Sequence, residues 1–127
     1  MNLRMKALGA LAFGGIMAVA LAARADDPIW TQTGAYSLSV GQTAVIYAVR
    51  AKTCEDAAPS FESIKAKLPN VTLGTLRDGG VVQRRSESCR TKTSRDWVEA
   101  RAITFTAAKA GSETLRFYGD PVVITVR

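Results

Sequence analysis

Few residues in this sequence of 127 could do chemistry near neutral pH, and what is missing is as informative as what is present. There is no histidine. That removes the serine and cysteine nucleophile systems that depend on an imidazole base, and with them the common zinc and non-haem iron ligand sets. A serine–lysine nucleophile would need a spacing such as Ser-x-x-Lys, which does not occur. Adjacent carboxylates stand at Asp26-Asp27 and Glu55-Asp56, in stretches where solvated acids are the ordinary state. No alternating Asp/Asn run suited to calcium and no Gly-x-x-x-x-Gly-Lys phosphate loop is present. The expectation is a protein that is not an enzyme, with no catalytic residue, no cofactor and no metal site.

The chemistry that remains lies in two cysteines and one run of cations. Cys54 and Cys89 are the only thiols. An isolated pair in a small exported domain most often forms one disulfide, whereas a redox-active pair favours a Cys-x-x-Cys spacing that is absent here. Free thiols are the remaining alternative. The expected Cys54–Cys89 bridge would contribute about 4 kcal/mol by closing a loop of this length. The segment from Arg84 to Trp97 holds Arg84, Arg85, Arg90, Lys92 and Arg95 against the acids Glu87 and Asp96, with Cys89 inside it. Pinned against the 51–59 loop, these cations beside Trp97 could grip an anionic glycan, a lipid headgroup or an acidic protein patch. The competing reading is a solvated loop whose charges keep an edge strand from aggregating, with Trp97 as a core cap.

Residues 1–25 supply the context. Arg4 and Lys6 precede an apolar, alanine-rich run from Ala7 to Ala23, and Ala23-Arg24-Ala25 places small residues where a signal peptidase reads. This is the layout of a signal peptide cleaved after Ala25, which sends residues 26–127 to the periplasm or outside the cell. An uncleaved anchor is the alternative. The run is interrupted by Gly14-Gly15, however, and is shorter than the roughly 20 strongly apolar residues that span a bilayer. Nothing after Asp26 is long and apolar enough to cross one, so the mature chain is expected not to span the membrane. Arg4, Lys6 and Arg24 leave with the leader, which lowers the formal net charge of +6 by three. So modest a charge, on an exported chain without a recognition helix or an aromatic sheet motif, argues against a nucleic-acid partner.

The elements that must position these residues read as strands. Tyr36, Leu38 and Val40 alternate along one face of a short run, and Gly41-Gln42 turns the chain into a strand over Thr43 to Arg50. Its central Val45-Ile46-Tyr47-Ala48-Val49 suits a strand covered on both sides, or one near the middle of a sheet. The pattern breaks over Ala51 to Pro59. Ser60 to Leu68 fits either a short strand or one to two helical turns. Val71 to Arg77 and Val81 to Ser86 read as a hairpin around Asp78-Gly79-Gly80, and Glu87 to Trp97 as a polar loop. Ile103, Phe105 and Ala107, then Leu115 and Phe117, then Val122, Ile124 and Val126 supply the inward rows of the last strands. The pattern implies one all-β domain over 26–127, of about seven short strands.

The run Ile103-Thr-Phe-Thr-Ala-Ala-Lys-Ala-Gly-Ser-Glu-Thr-Leu115, with Val122-Val-Ile-Thr-Val126 after it, resembles the last strands of bacterial immunoglobulin-like domains. Ser39-Val-Gly-Gln-Thr43 resembles their first hairpin. The likeness covers about a third of the mature chain and implies an Ig-like β-sandwich; it says little about activity. Among exported members, the chain is also similar to chagasin-type cysteine-protease inhibitors, with departures at the inhibitory loops. Ala51-Lys-Thr-Cys-Glu-Asp56 and Gly119-Asp120-Pro121 stand where the inhibitory motifs should fall, and only Gly79-Gly80 could stand for a glycine-rich loop. The resulting expectation is an exported, non-catalytic binding or structural module of the cell envelope. It would engage a protein or an anionic envelope component through the disulfide-pinned basic loop. A chagasin-like protease inhibitor is the alternative.

Overall fold

A computed structural model describes residues 28–127; the expected leader over 1–25 and its cleavage point lie outside the described residues. The strands are β1 (Ile29–Trp30), β2 (Ala35–Leu38), β3 (Thr43–Arg50), β4 (Gly74–Arg85), β5 (Trp97–Ala107), β6 (Gly111–Phe117) and β7 (Asp120–Val126). Two short helices, α1 (Phe61–Ile64) and α2 (Glu87–Thr93), stand before β4 and β5. One sheet has the order β1-β4-β5-β3 and the other β2-β7-β6. β1 runs parallel to β4 and β2 parallel to β7, while the remaining pairs are antiparallel.

The inward rows expected from alternation are buried. Ile103, Phe105, Leu115, Phe117, Val122, Ile124 and Val126 belong to one core that both sheets share with Ile46 and Tyr47. Burying each such side chain is worth about 1.5–3 kcal/mol, and this repeated term drives the sheets together. β3 is an edge strand, yet Ile46 to Val49 are all buried, so the run covered on both sides is realised at an edge.

The Asp78-Gly79-Gly80 hairpin does not form. β4 is one continuous strand that pairs with β5 on either side of these residues, Asp78 opposite Ile103 and Val81 opposite Arg101. Gly79 and Gly80 together face only Ala102, which makes a bulge. The glycines serve that bulge: Gly80 has φ +86°, and a Cβ on Gly79 would sit 3.0 Å from the Ala102 Cβ. Asp78 holds the kink by accepting from the Gly80 amide at 2.8 Å and from Arg101 at 3.3 Å. A second bulge at Ile46 interrupts the pairing of β3 with β5 beside Ile103 and Thr104. Along β5 the buried positions change there from Val98, Ala100 and Ala102 to Ile103, Phe105 and Ala107. Side chains alternate faces along a strand, so the covered face of the sheet changes at the level of the two bulges.

The ambiguous 60–68 stretch is helical. Ser60 caps α1 by accepting from the Ser63 amide at 3.2 Å, and a 3₁₀ turn over Lys65–Lys67 ends at Leu68, which is extended ahead of Pro69. Glu113 of β6 ties the following chain down, its carboxylate accepting from the Leu73 amide at 2.9 Å and from the Thr72 hydroxyl at 3.1 Å. The polar 87–97 loop is a correction of another kind, because Glu87–Thr93 forms α2 and ends at Ser94 in the left-handed region, φ 61°. Cys89 is its buried residue. The Cys54–Cys89 disulfide is formed, with Cα atoms 5.6 Å apart, and packs with Ala51 and Val98 in a second small core. Replacing Cys54 and Cys89 together by Ala is expected to lower unfolding stability by about 4 kcal/mol in urea denaturation. A loss under about 1 kcal/mol would mean that other contacts already hold the 51–59 loop.

Candidate binding site

The fold divides the basic segment instead of presenting it as one patch. Arg85 and Asp96 form an exposed ion pair, and Arg90 lies 3.6 Å from Glu87 on α2. Exposed pairs of this kind contribute about 0–1 kcal/mol. Lys92 is exposed on α2. Arg95 turns back on the disulfide loop, donating to the Cys54 carbonyl at 2.6 Å, with its guanidinium 4.2 Å from the centre of the half-buried Trp97 ring. Arg84 leaves the others and reaches the main core. It donates to the Ala48 carbonyl and, at 3.2 Å, to Gln32, and its guanidinium lies 5.3 Å and 5.2 Å from the Trp30 and Tyr47 rings.

Arg84 meets a residue that the sequence did not single out. Arg50, at the end of β3, donates to the Ala51 carbonyl at 3.1 Å, to the Ser86 hydroxyl at 3.2 Å and toward the Cys89 sulfur at 3.7 Å. The disulfide and the start of α2 thus orient this guanidinium. Arg50 and Arg84 line one cleft of about 260 Å³ with Tyr47, Val49 and Tyr118. Val49, Arg50 and Tyr118 continue into a cleft of about 320 Å³ that adds Lys52, Pro59, Ser63, Ile64 and Lys67. A third, of about 330 Å³, runs from Arg50 past Lys52 and Pro59 to Asp56. The three share Arg50 and make one trough. Among the described residues, neither Arg50 nor Arg84 has a carboxylate partner: their acceptors are carbonyls, an amide, a hydroxyl and a sulfur. Among the described residues both guanidiniums are therefore fixed in place by neutral groups, Arg84 lying also against the Tyr47 phenol that donates to Asp120, an arrangement suited to receiving an anion at little ordering cost.

Two tyrosines complete the trough. Tyr47 stacks on Phe117 at 4.8 Å between ring centres, meets Trp30 edge-on at 5.6 Å, and donates its hydroxyl to Asp120 at 2.6 Å. Burial chiefly, and then the Asp120 hydrogen bond, push the Tyr47 phenol above its ordinary value of 10.0. Tyr118 sits at the β6–β7 turn with φ 53°, followed by Gly119 at φ 89°. A two-residue hairpin turn of this hand favours Asn, Asp or Gly at its first position. Tyrosine there costs about 1–2 kcal/mol of backbone strain and places a 48 % exposed ring over two of the clefts. The site can hold an anion and an apolar group side by side; it offers no nucleophile with a base.

Because folding holds Tyr47 protonated, its stabilising contribution is intact below pH 10.0 and is lost as pH rises through the raised folded value. Tyr47→Phe is expected to cost about 1–3 kcal/mol at pH 7, by leaving Asp120 without its partner, and the gap from wild type should narrow above pH 10.0. Urea denaturation at both pH values checks this, and a constant gap would mean an ordinary phenol. Compared with known proteins, the chain matches no protein-family model, no curated protein and no solved structure.

Proposed function

We propose that this chain is an exported, non-catalytic binding module of the cell envelope, whose Ig-like β-sandwich presents the Arg50–Arg84 trough to an anionic partner. The observation that carries the reading is the pair of oriented guanidiniums in one cleft that have no carboxylate partner among the described residues, with Lys52 and Lys67 along its continuation. The basic segment takes part through Arg84 and through Ser86 and Cys89, which orient Arg50. Arg85 and Arg90 serve its surface instead, each with an acid beside it.

Export rests on the leader pattern in residues 1–25 and is supported by the disulfide, which persists in oxidising compartments. Among the described residues no helix is long and apolar enough to cross a membrane. The Ig-like assignment is supported by seven strands among the described residues, in two sheets that share a core, and by the parallel pairing of β2 with β7.

Fluorescence anisotropy with a labelled deca-glutamate peptide and a labelled heparin octasaccharide tests the reading on disulfide-intact protein. At least one should bind at low salt, and Lys52→Glu with Lys67→Glu should weaken it about tenfold, since two exposed contacts at about 0.7 kcal/mol each sum to the ~1.4 kcal/mol of a tenfold change. Both lysines are exposed, so the folded state should survive the charge reversal. Binding by neither probe, or equal binding by the variant, would overturn the proposal.

A further inference from the structure

We infer that the trough takes an extended acidic peptide segment in which carboxylate side chains alternate with apolar ones, an inference that rests on the anion-binding reading above. Each of the first two clefts pairs cations with an apolar wall. In the first, Arg50 and Arg84 face Val49 and the rings of Tyr47 and Tyr118. In the second, Lys52 and Lys67 face Ile64 and Pro59. Clefts of about 260 and 320 Å³ that share a wall are sized for neighbouring side chains of one chain. A purely charged ligand would leave that apolar lining unused.

The lining also discriminates against a glycan. Sugar hydroxyls are read by amide side chains, which give and accept hydrogen bonds, and by carboxylates, which accept, and a site poor in both leaves hydroxyls unpaired at a cost. Apart from the tyrosine hydroxyls, Ser63 and Asp56 are the only non-cationic polar side chains lining the three clefts. A bilayer is disfavoured by shape: the cations line concave clefts, whereas a headgroup layer is met by a convex or flat surface.

Tyr118 is the residue that separates this inference from charge alone. It stands at the junction of the two clefts, mostly outside the core, in a backbone conformation that Asn or Gly would hold more easily. Its ring therefore adds contact area for an apolar ligand group without being needed for the turn. Tyr118→Asn should leave the thermal midpoint unchanged or raise it while removing that contact.

The test is anisotropy titration of disulfide-intact protein with labelled hexapeptides, one of alternating Leu and Glu and one of Glu alone. A Gln-for-Glu version of the first, a heparin octasaccharide and phosphatidylglycerol vesicles complete the set. The alternating peptide is expected to bind about tenfold more tightly than hexa-glutamate and more tightly than the octasaccharide or the vesicles. The Gln version and the Tyr118→Asn and Lys67→Glu variants should each lose about fivefold or more. Equal affinity for the alternating and all-Glu peptides would overturn the peptide inference while leaving anion binding standing. Tighter binding of the octasaccharide or vesicles, or an undiminished Tyr118→Asn variant, would overturn it too. Silence from every anionic probe would remove the anion-binding reading itself.

Discussion

The Tyr47 ring lies where almost every part of this molecule meets. It stacks on Phe117 of the other sheet, touches Trp30 of β1 edge-on, lies beside the Arg84 guanidinium of β4 and donates to Asp120 at the start of β7. The Tyr47 hydroxyl finds Asp120 and the Arg84 guanidinium finds Ala48 and Gln32, so a phenol and a cation can stand at the edge of an apolar core; the buried Trp30 indole N–H has no partner among the described residues. Arg84 spans from β4 to the Ala48 carbonyl of β3, across the intervening β5. It thereby ties β4 to β3 and holds one wall of the trough. Remove the ring, and the sheets lose a common contact while Arg84 loses the face it lies against.

The second constraint is covalent. Cys54 and Cys89 join the loop after β3 to α2, and three arginines are arranged by that junction or close to it. Arg95 closes on the Cys54 carbonyl, Arg50 on Ser86 and Cys89, and Arg84 emerges from β4 two residues before Ser86. In each case the principal acceptors are neutral. A guanidinium held by carbonyls and hydroxyls keeps its orientation with no opposite charge beside it, whereas one held by a carboxylate has its charge offset by that of its partner. This difference separates Arg50 and Arg84 from Arg85 and Arg90, which acids neutralise at the surface.

Much of the framework was legible in the sequence, because alternation is a local property. Phe105, Phe117, Ile124 and Val126 are inward residues in both readings, and the two lone cysteines expected to pair do so. Asp78-Gly79-Gly80 misled because a bulge and a tight turn ask the same thing of the backbone, a residue at positive φ beside a side chain that accepts from it. Only the pairing partner distinguishes the two, and here that partner is β5. α2 was hidden for a different reason. Its one buried side chain is Cys89, so it has no apolar stripe from which a period could be read.

The sequence by itself determined that the chain holds no imidazole, that its last strands alternate inward and outward residues, and that Cys54 and Cys89 could bridge only each other within one chain. These follow from residue types and from spacings of a few positions. Where the charges act was decided by tertiary structure. Arg50, Lys52, Lys67, Arg84 and Tyr118 come from four separate stretches, and no short-range pattern links them. An arginine's role is set by the acceptors within reach of its long side chain, and those acceptors are brought there by strand pairing and the disulfide. The run of cations near Cys89 was visible as a sequence feature, but which of them stay uncompensated depends on contacts between residues tens of positions apart.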